Sequence, residues 1–176
     1  MSADTLLVAL LVLLALALLL RRRTARRRAD LGLPEGPVVY QDAGEGPVKT
    51  LYSARYHLVG RPDQIVQEAG YYIPVEVKSG RTPRQPYPGQ VMQLIAYCAL
   101  VEENYGVRPP YGLIYFEASG TWFEIEYSPD QEAAFADTLA AMRRARAAPE
   151  VHRSHQSPPV CAACGYNALC DERLAG

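Results

Sequence analysis

In Tyr71-Tyr72-Ile73-Pro74-Val75-Glu76-Val77-Lys78 aromatic and β-branched residues run into an apolar/charged alternation over the last four positions, and the stretch reads as a β-strand ending at Ser79-Gly80. Residues two apart on a strand share a face, so Glu76 and Lys78 point one way and Val75 and Val77 the other, toward a core. Residues 57–67 form a second strand-like run, and Glu68-Ala69-Gly70 is the turn signal between the two. With Ala69 and Gly70 at the centre of that turn, Asp63 falls opposite Glu76, their Cβ atoms about 5 Å apart. Residues 51–67 as a whole read as one long strand or two. Tyr52, Ala54, Tyr56, Leu58 and Gly60 then share one face, and Leu51, Ser53, Arg55, His57 and Val59 the other.

Residues 81–89 hold Pro83, Pro86 and Pro88 and predict an irregular loop. The period then changes to that of a helix over about residues 90–104, ending near Gly106. Val91, Leu94, Ile95 and Cys98 mark its core face. Gln90, Gln93 and Tyr97, three and four apart, share a different face that looks back at the strand carboxylates. Residues 111–116 read as a strand, Ser119-Gly120 as a turn and residues 121–127 as its hairpin partner. A second helix is signalled by Ser128 as N-cap, Pro129 at the first position, Gln131 completing a capping box, and Arg143, Arg144 and Arg146 in the last turns. Val38-Val39-Tyr40 is a candidate edge strand. This order gives an α/β or α+β domain with a mixed central sheet.

Residues 6–20 are apolar without a break and are followed at once by six arginines within residues 21–28. As a helix the run covers about 22 Å, which flanking residues and snorkelling arginines can stretch across a bilayer. A cleaved signal peptide would carry its basic residues before the run and a small-residue site after it. Here Asp4 precedes and arginines follow. The expectation is a single-pass membrane anchor over residues 5–20, with the domain on the cytoplasmic side and the arginine run near anionic headgroups. The chain divides accordingly into an anchor (1–20), a basic juxtamembrane segment and linker (21–50), a core (51–148), and a linker with a cysteine-rich end (149–176).

Charge narrows the choice of partner. The net charge of −1 hides an asymmetry, since residues 30–176 carry 12 Lys and Arg against 18 Asp and Glu, a net of −6. An acidic body of this kind is not a general binder of nucleic acid, whose affinity comes mostly from neutralised phosphates. Any such contact is confined to a local patch, for which Arg55, Arg61, Lys78, Arg81 and Arg84 lie closest to the strand pair.

Two carboxylates as close as Asp63 and Glu76 repel unless a cation lies between them. Oxygen ligands at this spacing suit Mg²⁺ or Mn²⁺. Lys78, on the face of Glu76, is placed to orient or help deprotonate a water, a pattern suited to metal-assisted hydrolysis. Gln93 and Tyr97 can hold a phosphate or a metal-bound water, or form an ordinary polar helix face.

Pro62-Asp63, Glu76-Val77-Lys78, Gln93 and Tyr97 together resemble the PD-(D/E)XK nuclease superfamily. The resemblance is greatest to its RecB-type branch, which includes the CRISPR-associated iron–sulfur exonucleases, and covers residues 51–174. It implies a restriction-endonuclease-like mixed central sheet flanked by helices. It also implies metal-dependent, exonuclease-like hydrolysis of DNA phosphodiester bonds. In that reading Asp63, Glu76 and the Val77 carbonyl hold the metal, and His57 is a further candidate ligand because the family supplies a histidine upstream of its aspartate. Lys78 positions the water, and Gln93 and Tyr97 steady the phosphate. The resemblance also leads to the expectation that the family's N-terminal helical segment, the usual source of that histidine, is lacking. The alternative is a degenerate nuclease-fold module that binds nucleic acid or a protein partner without cleavage.

Cys161 and Cys164 lie two residues apart on a turn, with Cys170 six further on, which is metal-ligand spacing. Nearly the same spacing closes the iron–sulfur members of the family and implies a [4Fe–4S] cluster with a fourth cysteine from an N-terminal segment. This chain has no cysteine before Cys98. With His152 and His155 nearby, a Zn²⁺ site is the alternative. In either case the three sulfurs are expected to converge on one centre.

Overall fold

The computed structural model describes residues 36–42 and 50–174. The chain falls into two compact units, Met1–Ala136 and Asp137–Gly176. The expected anchor lies outside the described residues; among those described, no helix is long and apolar enough to cross a membrane.

The first unit contains β1 (Val38–Gln41), β2 (Leu51–Ser53), β3 (Leu58–Gly60), β4 (Gln64–Glu68), β5 (Tyr71–Lys78), α1 (Pro88–Tyr105), β6 (Tyr111–Phe116) and β7 (Thr121–Glu126). The helix α2 (Pro129–Ala147) runs from it into the second unit, which also holds the short helix α3 (Pro158–Ala162) and a 3₁₀ turn at Asn167–Leu169. Five strands form one mixed sheet in the order β1-β4-β5-β6-β7. Only β5 and β6 run parallel, because α1 carries the chain back between them. β2 and β3 form a separate antiparallel ribbon.

The β4–β5 hairpin has the register its turn residues imply. Gln64 pairs with Val75 and Glu68 with Tyr71. Ala69 (φ 48°) and Gly70 (φ 86°) are both left-handed, the arrangement of a tight two-residue turn whose twist matches the strands. β5 spans the residues that its aromatic and β-branched content predicts. Val75, on the face away from Glu76, packs with Val66, Ile73 and Leu113.

α1 lies on the other face, with Leu94, Ile95, Cys98, Ala99, Leu100 and Val101 buried. Leu94 packs with Ile114 and Phe116, while Leu100 and Val101 pack with Leu51 and Ile65. Val91, expected in the core, is only half-buried. The helix and sheet approach closely at Gly112, where a Cβ would meet Leu94 Cδ1 at 2.8 Å and Cys98 Sγ at 3.1 Å. α1 starts two residues earlier than the period suggested. Pro88 takes the first helical position and the Gln90 side chain accepts the Tyr87 amide hydrogen at 2.9 Å. Gly106 closes it in the left-handed conformation at φ 71°.

The largest departure from the sequence reading is at residues 51–63. These do not continue one strand face. The chain turns sharply at residues 54–57, where His57 is left-handed (φ 43°). Long-range contacts hold that turn. Glu103 of α1 accepts the amide hydrogens of Ala54 and Arg55, and Ser53 Oγ accepts that of Tyr56. Leu51, Ser53 and Tyr56 are buried, whereas Tyr52 and Val59 are exposed. The expected two-face alternation therefore breaks at the turn.

Candidate active site

Asp63 stands one residue before β4, where the ladder with β5 begins. Pro62 before it is fully buried, and the Asp63 carbonyl accepts the Asp42 amide hydrogen at 2.9 Å. The backbone is thus fixed on both sides. Beyond Val75 the edge of β5 has no β4 partner, so the Val77 N–H would be left without an acceptor. Asp63 Oδ2 takes it at 2.7 Å. The carboxylate is thereby aimed at the mouth of the hairpin, beside Glu76.

Glu76 is 5 % exposed, at the centre of the sheet. Its Oε1 accepts from Lys78 Nζ at 2.6 Å and from Gln93 Nε2 at 2.9 Å. Gln93 Oε1 in turn accepts from Lys78 Nζ at 3.0 Å, and its amide also donates to the Tyr97 hydroxyl oxygen at 3.0 Å. One glutamine side chain therefore ties α1 to β5 through an amide proton and its oxygen, while its other amide proton goes to Tyr97 on α1 itself. Glu76 Oε2, by contrast, is buried with no hydrogen-bond partner. An orphaned carboxylate oxygen is costly unless something charged comes to it.

The electrostatics follow from this packing. Burial pushes the Glu76 carboxyl above its ordinary range, the Lys78 hydrogen bond pulls it back, and the neighbouring Asp63 charge raises it again. Burial also raises the Tyr97 phenol, which therefore keeps its proton; the Gln93 hydrogen bond works against this rise and the Glu76 charge adds to it. The residues fit a divalent ion, with Glu76 Oε2 and the remaining Asp63 lone pairs free to receive one.

The structure thus brings together Asp63, Glu76, Lys78, Gln93 and Tyr97. Val77 takes part through its amide to Asp63. Gln90, expected on the same helix face, is engaged instead in capping α1. His57 stands on the exposed turn of the β2–β3 ribbon. Arg81 and Arg84 are exposed in the loop before α1, while Arg61 lies 3.6 Å from Asp42. Arg55 is drawn away into an ion pair with Glu132 at 2.8 Å.

Two acidic residues were not singled out by the sequence. Asp42 and Glu117 line, with Asp63 and Val77, a cleft of about 280 Å³. The Glu117 amide donates to the Lys78 carbonyl at 3.0 Å, immediately past the parallel pairing of β5 with β6. Its place depends on that parallel register, for which the strand–helix–strand order was the one available signal.

The three C-terminal cysteines do not converge as expected. Cys161 is buried, Cys164 exposed and Cys170 half-buried. Among the described residues no group of three potential ligands meets around a metal position. Cys98 lies in the core of the first unit, where burial drives its thiol far above the ordinary range.

The family model of the PD-(D/E)XK nuclease superfamily matches residues 7–171. No curated protein matches the chain. Among solved structures, the one titled "Crystal structure of SSO0001" is similar at 21% identity and a TM-score of 0.46, over 72% of this chain. The chain spans 58% of that structure's length.

Proposed function

The chain belongs to the PD-(D/E)XK nuclease superfamily, and on that premise we propose that it is a metal-dependent nuclease that hydrolyses DNA phosphodiester bonds in an exonuclease-like manner. The observation that carries this reading is the divided state of Glu76. One oxygen is locked by Lys78 and Gln93, and the other is buried and unpartnered beside Asp63.

Asp63, Glu76 and the Val77 carbonyl would hold Mg²⁺ or Mn²⁺, which supplies Lewis-acid polarisation of the phosphate and a more acidic water. Lys78 spends two of its three protons on Glu76 and Gln93, and the third is available to orient the attacking water. Gln93 fixes Lys78 and Glu76 at once. The Tyr97 hydroxyl accepts from Gln93 and keeps its own proton to donate to a phosphate oxygen. The exposed Arg81 and Arg84, with Arg61, provide the cationic edge for the backbone of the substrate.

The test is a Mg²⁺- and Mn²⁺-dependent nuclease assay on the full chain beside Glu76→Ala. Cleavage by the parent and its loss in the variant are the expected results. Binding of DNA without cleavage by the parent would favour the non-cutting module instead. Residues 5–20 would anchor the domain at the cytoplasmic membrane face. The apolar run and the six arginines that follow it support this. Deleting residues 1–20 is then expected to move the protein from the membrane fraction to the supernatant.

A further inference from the structure

Residues 79–87 join the Lys78 end of β5 to the first turn of α1. The segment buries no side chain of its own, yet both its ends are fixed. Near its start Thr82 Oγ1 lies 2.6 Å from Ser119 Oγ in the β6–β7 turn, and Ser119 Oγ donates to Thr121 Oγ1 at 2.7 Å. At its end the Tyr87 amide donates to Gln90 Oε1 at 2.9 Å, and the Tyr87 carbonyl accepts from the Gln90 and Val91 amides at 2.8 and 3.1 Å. Pro83, Pro86 and Pro88 stiffen what lies between. Pro88 also confines Tyr87 to extended backbone, observed at φ −67° and ψ 147°.

A loop tied and stiffened in this way holds its outward side chains in place. They include Arg81, Arg84 and Tyr87, the last 62 % exposed. A tyrosine on a fixed backbone has two χ angles left to order, so its ring offers a large contact surface at small entropic cost.

Position along the helix sets what the ring can meet. Tyr87 is six residues before Gln93, about 9 Å of helix rise. Gln93 binds Glu76 and Lys78, the centre at which the phosphodiester would be cut. Stacked nucleotides rise about 3.4 Å each along a strand, so the ring falls about two to three nucleotides from that bond.

Charge decides which kind of contact matters there. Residues 30–176 carry a net of −6, so phosphate neutralisation has few cations to draw on. Stacking of a base on an aromatic ring needs no cation and tolerates any sequence. Inside a duplex both faces of a base are already covered by its neighbours, so only an unpaired or terminal base can present a face.

On the nuclease reading above, we infer that Tyr87 is a specificity-determining residue whose ring stacks on an unpaired base of the substrate strand, about two to three nucleotides from the cut bond. Arg81 and Arg84 hold the phosphates on either side of that base.

The test compares the full chain with Tyr87→Ala, Tyr87→Phe and Tyr71→Ala in Mn²⁺. The Tyr87 bonds that hold the loop are made by its backbone, so the alanine variant keeps them. Tyr71 is exposed at the opposite end of β5 and serves as the control. The substrates are an end-labelled single strand of mixed sequence, the same strand in a blunt duplex, and single strands carrying one abasic nucleotide at each position in turn. Tyr87→Ala should lower kcat/KM on the single strand at least about fivefold, the lower end of what one stacked base contributes, and lower the ratio of single-strand to duplex cleavage by the same factor. Tyr87→Phe should restore both values, and Tyr71→Ala should match the parent. In the parent, an abasic nucleotide about two to three positions from the cut bond should slow cleavage by a similar factor, and in Tyr87→Ala it should not. No loss in Tyr87→Ala, an equal loss on single strand and duplex, or an abasic dependence that survives in Tyr87→Ala would each overturn the stacking role. A parent that cuts neither substrate would instead end the nuclease reading. Binding of the same single strand in Ca²⁺ then decides for the ring by itself: weaker binding by Tyr87→Ala than by the parent upholds stacking, and equal or absent binding overturns it.

Discussion

Asp63 accepts the amide hydrogen of Val77 at 2.7 Å across the mouth of the β4–β5 hairpin. The carboxylate proposed above to bind an ion is therefore also the acceptor for an otherwise unpaired strand amide. The two roles separate by substitution. Asp63→Asn keeps an oxygen for Val77 and loses the charge. Asp63→Ala loses both and leaves a half-buried N–H unpaired, at a cost of about 1–3 kcal/mol. Both variants are expected to lose metal-dependent cleavage, and only the alanine variant should also lose that stability in urea unfolding. Equal stability of the two would remove the structural role.

Glu76 yields a prediction about pH. Its carboxyl is raised by burial, so the folded protein holds that proton more tightly than the unfolded chain does. The stability from this group is present at acid pH and is lost as pH rises through the raised value. Glu76→Gln removes the titration. Between about pH 4 and about pH 8 the Tm of the parent should fall relative to that of Glu76→Gln. Mg²⁺ or Mn²⁺ should restore the parent at the alkaline end and leave the variant unchanged. A constant difference across the range would show that Glu76 titrates alike in both states.

A third prediction has the opposite sign. Glu132 accepts from the Tyr56 hydroxyl at 2.6 Å and from Arg108 at 2.8 Å, while Arg108 also reaches Glu102 at 3.0 Å and lies 3.9 Å over the Tyr127 ring. Burial works against the Glu132 carboxylate, but Tyr56 and Arg108 outweigh it and hold it below its ordinary range. This stability is present above the unfolded carboxyl value and is lost as pH falls through the lowered one. Arg108→Ala should therefore cost about 1–3 kcal/mol at neutral pH and much less at acid pH, read from urea unfolding at both.

The parts of the fold that were legible in sequence are those governed by nearest neighbours. Two turn residues set the β4–β5 register, and helical spacing placed Gln93 and Tyr97 on the side of Glu76. The sharp turn at residues 54–57 was not legible. Its amides are captured by Glu103, about fifty positions away, against a local alternation that favoured a continuous strand. Glu117 was missed for a similar reason, since a parallel register cannot be counted from a turn. The cysteine spacing suggested a shared centre, but the three cysteines differ in burial and, among the described residues, no group of three potential ligands meets. The environments of Cys98, His152 and His155 depend on packing and on the hydrogen bonds each makes.

The last prediction concerns Gly60. It ends β3 against α1, where a Cβ would stand 2.8 Å from Leu100 Cδ1 and 3.3 Å from Tyr97 Cε1. The glycine is needed here for space, because the ribbon passes directly over the ring whose hydroxyl meets Gln93. Gly60→Ala must displace Leu100, which is fully buried, or tilt Tyr97. Overpacking of this kind costs about 1–3 kcal/mol. If Leu100 is what gives way, pairing Gly60→Ala with Leu100→Val should recover at least about 0.5 kcal/mol of coupling in a double-mutant cycle. The effect on Tyr97 is read separately. At a temperature well below its Tm, Gly60→Ala should still show a lowered kcat, and this loss should be absent when Gly60→Ala is placed on Tyr97→Phe. A variant that is less stable but fully active while folded would confine Gly60 to packing and detach it from the role proposed for Tyr97.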